Sequence, residues 1–133
     1  MTKPRENWRV LVVEDDPDLR KLIVRMLEQD NFEVMAASDG RLGLAMAFGE
    51  RRPHLIITDI MMPNMDGLQM VKQIRQDRTT KAPPVIFLTA KGAPKDVIAG
   101  IGAGARHYLV KPFSMTELID KVRAILPGVP GPD

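Results

Sequence analysis

A small set of polar residues stands at the ends of short apolar runs and could perform phosphoryl chemistry. The set comprises Glu14, Asp15, Asp16, Asp59, Thr89 and Lys111. Clustered carboxylates repel one another and favour a divalent cation, and oxygen ligands without cysteine select Mg²⁺ or Mn²⁺ over zinc. A lysine and a hydroxyl beside such a cation would supply a charge and a hydrogen bond for an anion. This combination can bind a phosphoryl group and leave an aspartate free to attack it.

These side chains can meet only if the runs before them are neighbouring parallel strands. Three runs are rich in β-branched residues and lack polar alternation, at residues 10–13, 55–57 and 85–88. That pattern is typical of strands buried on both faces of a parallel sheet. Weaker runs at residues 32–37 and 108–110 predict two further strands.

Helical patterns separate the predicted strands. The clearest stripe is Leu19, Leu22, Ile23, Met26 and Leu27, at helical spacing. Asp16 followed by Pro17 predicts its start, as N-cap and first helical residue. A second helix is predicted around Leu44 to Phe48, ending near Arg51 and Arg52, where basic residues suit the negative end of the helix dipole.

Three more helices complete the pattern. The third has apolar residues from Leu68 to Ile74, with Asp66 as its predicted cap. The fourth lies around Val97 to Ile101, and the fifth around Leu118 to Ile125, opened by a capping box at residues 114–117. Five β-α units predict an α/β fold with a five-stranded, doubly wound parallel sheet of order 2-1-3-4-5. Its site should lie at the carboxyl ends of strands 1 and 3.

Composition limits the classes of protein that the chain can belong to. It has 133 residues, 19 basic and 17 acidic, for a net charge of +2, and no cysteine. We expect an N-terminal extension at residues 1–8, one domain at 9–126, and a Pro/Gly-rich tail or start of a linker at 127–133. Such balanced charge does not establish a nucleic-acid partner, although the pI of about 9.1 leaves one open; we expect no direct nucleic-acid binding from this domain. The absence of an apolar run of roughly 18 residues predicts no membrane span. We expect a cytoplasmic location.

Four segments resemble the motifs of a known family. Residues 12–17, 59–67, 88–90 and 111–113 look like the motifs of the receiver domain of two-component response regulators, in the same order and at the same strand ends. The resemblance covers about residues 8–126 and implies the CheY-like form of the flavodoxin-like fold. It implies a phosphoacceptor signalling domain that assists only its own phosphorylation and dephosphorylation, rather than an enzyme.

The resemblance implies a role for each site residue. Asp59 would accept a phosphoryl group from a histidine kinase or a histidine phosphotransfer protein. Asp15 would hold Mg²⁺ directly and Glu14 through water, with the backbone carbonyl of Met61 as another ligand. Lys111 would pair with the phosphoryl oxygens or, before phosphorylation, with Asp59.

The resemblance also implies a switch. The hydroxyl of Thr89 would move towards the phosphoryl group, and Tyr108 would turn inward behind it. This shift would remodel the face formed by predicted helix 4, strand 5 and helix 5, and so control a partner protein or an attached output domain. The peptide bond between Lys111 and Pro112 would be cis.

Two further expectations concern lifetime and assembly. Met61 and Lys91 occupy positions that tune phosphoryl lifetime in the family, and neither positions an attacking water well. We therefore expect slow self-dephosphorylation, over minutes or longer. Arg106 and His107 precede strand 5 where one branch of the family has acidic, dimer-forming residues, so we expect a monomer or a weak phosphorylation-dependent dimer.

Three other functions make different demands on these residues. A Mg²⁺-dependent phosphatase with an aspartyl nucleophile needs a second acid two residues later, where this chain has Met61. A flavin mononucleotide module would need a Ser/Thr/Gly-rich phosphate loop in place of the acidic residues 14–16. A degenerate receiver, acting by protein binding alone, would not need to retain Asp15, Asp59, Thr89 and Lys111.

Overall fold

Five parallel strands form the centre of the molecule. The computed structural model describes residues 8–77, 81–90 and 107–126. The strands are β1 (Arg9–Val13), β2 (Glu33–Ala37), β3 (Leu55–Asp59), β4 (Val85–Ala90) and β5 (His107–Lys111). They pair in the order β2-β1-β3-β4-β5, which confirms the predicted doubly wound sheet.

Helices follow four of the five strands within the described residues. In the described residues these are α1 (Pro17–Gln29), α2 (Gly40–Ala47), α3 (Gly67–Gln76) and α4 (Met115–Ile125). The last corresponds to the fifth helix of the sequence prediction. Several predictions concern residues outside the described ranges. These are the helix around Val97, the residues Lys91 and Arg106, and the segments 1–7 and 127–133.

Side-chain caps define where the helices begin. Asp16 caps α1 and Asp66 caps α3, as predicted, each accepting an N–H from the first turn. Ser114 and Glu117 form the predicted capping box of α4. Asp39, which was not singled out from the sequence, caps α2 through the N–H of Leu42.

The predicted end of the second helix is wrong. α2 ends at Ala47 rather than near Arg51 and Arg52. Gly49 follows the cap residue Phe48, and glycine in a helix costs about 1 kcal/mol relative to alanine. The two arginines have other partners: Arg51 pairs with Glu33, and the guanidinium of Arg52 lies 5.6 Å from the centre of the Phe48 ring.

The core has two layers because alternate strand residues point to opposite faces of the sheet. Val10 and Val12 belong to one layer, which includes Ile23 of α1 and Leu118 of α4. Leu11 and Val13 belong to the other, which includes Met70 of α3. Across the described ranges, no helix combines the length and apolar character needed to cross a bilayer. The two layers hold the carboxyl ends of the strands at one edge of the sheet.

Candidate functional site

Three strands deliver charged side chains to that edge. Glu14 directly follows β1, while Asp59 and Lys111 are the last residues of β3 and β5. Glu14 is 0% exposed and Asp59 is 4% exposed. The Nζ atom of Lys111 lies 2.7 Å from Asp59 Oδ1 and 3.0 Å from Glu14 Oε1. The contact expected between Lys111 and Asp59 is therefore present, and the same ammonium also binds Glu14.

Glu14, Asp15 and Asp59 form an acidic cluster. One carboxylate oxygen from each lies within 4.8 Å of the other two. Asp15 is exposed while the other two are buried, so the cluster opens to solvent on the side of Asp15. Oxygen donors alone suit a hard cation such as Mg²⁺. With all three carboxylates ionised, one ammonium leaves an excess of two negative charges, which one divalent cation would neutralise. The residues present therefore fit a Mg²⁺ site.

Burial and crowding perturb the acid-base chemistry of this cluster. Burial, followed by the hydrogen bond with Glu14, raises the pKa of Asp59 to about 8, although Lys111 opposes the shift. Burial also disfavours ionised Glu14, but hydrogen bonds from Asp59, the Asp16 N–H and Lys111 outweigh it and lower the pKa of Glu14. Burial disfavours the ammonium of Lys111, yet its two carboxylate partners raise its pKa. Of the two buried carboxyls, Asp59 is therefore the one whose ionised form its surroundings disfavour.

Thr89 brings a buried hydroxyl to the carboxyl end of β4. Its side chain is 3% exposed, and its Oγ1 has no hydrogen-bond partner among the described residues. Buried hydroxyls are nearly always paired, so an unpaired one is an uncommon feature with an energetic cost. As far as the described residues go, this hydroxyl is free to donate to an acceptor at the sheet edge.

Tyr108 and Met61 lie towards solvent. Tyr108, in β5, is 45% exposed and pairs in register with Phe87 of β4, as Val110 does with Thr89. Met61 follows β3 by two residues, and its side chain is 72% exposed. The peptide bond between Lys111 and Pro112 is cis, as the resemblance implied.

Local backbone contacts hold the acidic turn after β1. The N–H of Asp16 donates to Glu14 Oε2 at 3.0 Å, and Arg20 donates to the Glu14 carbonyl at 2.8 Å. Sequence reasoning missed Arg20. The available signal was its position four residues after the cap Asp16, which places it one turn along α1 and beside the acidic turn.

The loop after β3 folds back on the end of that strand. A Cβ at Gly67 would lie 1.9 Å from the carbonyl oxygen of Asp59, so only glycine fits there. Asn64 has φ 70°, a left-handed conformation that asparagine adopts more readily than most residues. The sequence reasoning missed both contributions, although a Pro-Asn turn followed by Asp-Gly is itself a turn signal.

The fold and the acidic edge are those of a phosphoryl-accepting signalling module. The family model for the response regulator receiver domain matches residues 10–123. The chain therefore belongs to the response regulator receiver domain family of two-component systems, which confirms the resemblance. It is a signalling phosphoacceptor, and its family implies a histidine kinase as partner.

Relatives and solved structures agree with this assignment. The response regulator ArlR of Staphylococcus saprophyticus is 42% identical over 118 residues, covering 89% of this chain and 52% of that protein. The DNA-binding dual master transcriptional regulator RpaA of Synechocystis is 40% identical over 118 residues, covering 89% of this chain and 48% of that protein. A putative response regulator structure from Chloroflexus aurantiacus has 35% identity and a TM-score of 0.80, covering 93% of this chain and 98% of that one. The chain thus spans about half the length of the curated relatives it matches.

Proposed function

We propose that Asp59 is the residue that takes the phosphoryl group. The observation that carries this proposal is the position of its carboxylate, buried at the sheet edge, 2.7 Å from Lys111 and within 4.8 Å of oxygens of Glu14 and Asp15. The donor is the phosphohistidine of a histidine kinase or of a histidine phosphotransfer protein.

The transfer needs little from the protein beyond position and charge. A carboxylate oxygen of Asp59 attacks phosphorus, and the bond between phosphorus and the donor imidazole nitrogen breaks. The imidazole keeps the electron pair and takes up a proton from water, while an acyl phosphate forms on Asp59. Lys111 then donates to a phosphoryl oxygen, and the hydroxyl of Thr89 donates to another.

The acidic cluster holds Mg²⁺, or Mn²⁺, in this proposal. Asp15 and Asp59 supply ligands directly, together with the backbone carbonyl of Met61, and Glu14 acts through water. The indirect role of Glu14 is supported by its existing partners, since one oxygen accepts from Lys111 and the other from the Asp16 N–H. When bound, the cation offsets negative charge on the transferring phosphoryl oxygens.

The switch that follows involves Thr89 and Tyr108. Thr89 moves its hydroxyl towards the phosphoryl group, and Tyr108, now 45% exposed, turns inward behind it. The register of β4 with β5 supports this coupling, because Thr89 pairs with Val110, two residues after Tyr108. The movement alters the face that β5 and α4 share with the helix predicted around Val97, and it biases two pre-existing conformations.

What this face controls is a separate protein or an attached output domain. RpaA is named as a DNA-binding regulator, which makes an attached DNA-binding region one candidate output for the present chain. The receiver itself, at residues 9–126, is proposed to bind no nucleic acid and to be a monomer or a weak phosphorylation-dependent dimer. Four points stay predictions: an N-terminal extension at 1–8, a tail or linker at 127–133, a cytoplasmic location, and a phosphoryl lifetime of minutes or longer.

Intact mass after incubation with acetyl phosphate and Mg²⁺ tests the proposal. The chain should gain one phosphoryl group, about 80 Da, and Asp59→Asn should gain none. The gain should also disappear when the metal is chelated. A gain that persists in Asp59→Asn would assign the phosphoryl group to another residue. No gain from acetyl phosphate or from a phosphohistidine donor would indicate a receiver that acts by protein binding alone.

A further inference from the structure

The loop between β3 and α3 carries the Met61 carbonyl and is fixed at its base. The N–H of Gly67 donates to the Ile60 carbonyl at 2.8 Å, and the N–H of Ile60 donates to the Leu88 carbonyl at 3.1 Å. These two bonds hold both ends of the loop at the end of β3. They leave the tip of the loop, at Asn64, to be held by another element.

That element is the start of α2. Asn64 Nδ2 donates to Asp39 Oδ2 at 2.9 Å, while Asp39 Oδ1 accepts the N–H of Leu42 at 2.9 Å as the helix cap. One carboxylate therefore serves two segments of chain. Gly40 lies against the same loop, because a Cβ there would be 2.3 Å from the carbonyl oxygen of Met65.

The segment that leads to Asp39 is also bonded to the acidic turn. The Ala37 carbonyl accepts the N–H of Glu14 at 3.1 Å. Ala37 ends β2 and Lys111 ends β5, and these are the two outer strands of the sheet. Lys111 joins Glu14 to Asp59 from one side, and the β2 segment joins Glu14 to the loop after Asp59 from the other.

We propose that Asp39 and Asn64 are positioning residues that hold the β3–α3 loop, and with it the Met61 carbonyl, in place for a divalent cation. This inference rests on the proposed function. Neither side chain belongs to the acidic cluster, so their effect reaches the cation through the loop. Outer partners of metal ligands typically contribute 10- to 100-fold in affinity, and for this exposed hydrogen bond we expect about 3- to 10-fold.

The closing experiment measures Mg²⁺ affinity by NMR titration with MgCl₂. Asn64→Gly removes the donor and keeps the freedom to adopt positive φ. Asp39→Ser keeps a capping oxygen and removes the second acceptor. Asn31→Gly is the matched control, because Asn31 also has positive φ, 67°, and lies after α1. We expect Asn64→Gly to weaken Mg²⁺ binding by about 3- to 10-fold and Asn31→Gly to leave it unchanged.

A double variant removes the effect of charge from the comparison. Asp39→Ser also deletes a negative charge, so its own loss of affinity has two causes. Adding Asn64→Gly to Asp39→Ser should cause no further loss, because the hydrogen bond is already absent. Phosphoryl uptake from acetyl phosphate should be slow in Asn64→Gly at limiting Mg²⁺ and should return to the wild-type rate at saturating Mg²⁺.

Two results would overturn the inference while leaving the proposed function intact. One is wild-type Mg²⁺ affinity in Asn64→Gly. The other is an equal loss on adding Asn64→Gly with and without Asp39→Ser, which would show that the two side chains act separately. A wild-type chain that binds no Mg²⁺ would instead overturn the proposed metal site, and with it this inference.

Discussion

Two groups of paired charges in the molecule differ in their surroundings. Lys111 binds Glu14 and Asp59 at the sheet edge, where both carboxylates are buried. Arg123 of α4 binds Asp30 through two hydrogen bonds, at 2.9 and 2.6 Å, but its side chain is 49% exposed. Water screens the second pair and is excluded from the carboxylates of the first, so only the first strongly perturbs acid-base chemistry. The difference in burial separates the charges of the candidate site from a surface ion pair.

Removal of Lys111 should give the largest effect. Lys111→Met keeps much of the aliphatic stem and leaves two buried carboxylates without a cation. We expect a loss of about 3 kcal/mol in the free energy of unfolding at pH 9. The loss should be smaller at pH 5, where a proton on Asp59 relieves the repulsion. Urea denaturation followed by fluorescence of Trp8, the single tryptophan, measures both values. Equal losses at the two pH values would mean that repulsion is not the cause.

Addition of Mg²⁺ should stabilise the buried cluster and not the exposed pair. A cation that binds only the folded state at ten times its dissociation constant adds about 1.4 kcal/mol. Asp15→Asn should remove most of this gain, while Arg123→Met should retain it. Thermal unfolding with and without MgCl₂ measures the gain. A full gain in Asp15→Asn would place the cation elsewhere.

Asp59→Asn should stabilise the protein because it removes one of the two crowded carboxylates. The pKa of Asp59 is raised from 3.8 to about 8 on folding, so between these values the folded state binds a proton that the unfolded state does not. Stability from this group is therefore present below about pH 4 and is lost as pH rises through about 8. We expect the free energy of unfolding of Asp59→Asn to exceed that of the wild type by about 1 kcal/mol at pH 9.

The measurement for this variant is a series of urea denaturation curves from pH 5 to pH 9. The difference in free energy of unfolding should grow with pH and level off above about pH 8. Thr58→Ser, at the neighbouring buried position of β3, is a control that leaves the cluster's charges in place. Its difference from the wild type should not vary with pH. If the free energy of unfolding of Asp59→Asn exceeded that of the wild type by the same amount at every pH, the raised pKa of Asp59 would be contradicted.

The features that could be predicted from the sequence are those whose interactions join residues close together along the chain or follow from the order of the strands and helices. The caps Asp16, Asp66 and Ser114 act within one helical turn, so their residue types and positions are enough to predict them. The strand order followed from five β-α units and the preference for right-handed crossovers. The end of α2 was misplaced because the partner of Arg51, Glu33, lies 18 positions away and no local pattern reveals it. Gly49 is the local signal for the helix end that the prediction did not use.

The candidate site also has features that the sequence predicts and features that it does not. The acidic residues at strand ends were predictable from topology, because parallel strands end at one edge of the sheet. The bond between Asn64 and Asp39 joins residues 25 positions apart, and that between Lys111 and Glu14 joins residues 97 positions apart. The first pair depends on how the β3–α3 loop meets the start of α2. The second depends on which of the carboxylates at the sheet edge the Lys111 side chain reaches. No local sequence pattern reveals either contact.

The smallest effect is expected at the exposed pair, and it tests the comparison most directly. Arg123→Met removes the two bonds to Asp30 and keeps an aliphatic stem at a surface cavity that Met26 and Ile119 also line. Because water can replace the lost partner, the unfolding midpoint should fall by no more than about 2 °C. The pH profile should follow that of the wild type, since the raised pKa of Arg123 lies far above the range tested. If Arg123→Met lowered the unfolding midpoint as much as Lys111→Met does under the same conditions, geometry and not burial would govern the strength of an ion pair in this molecule.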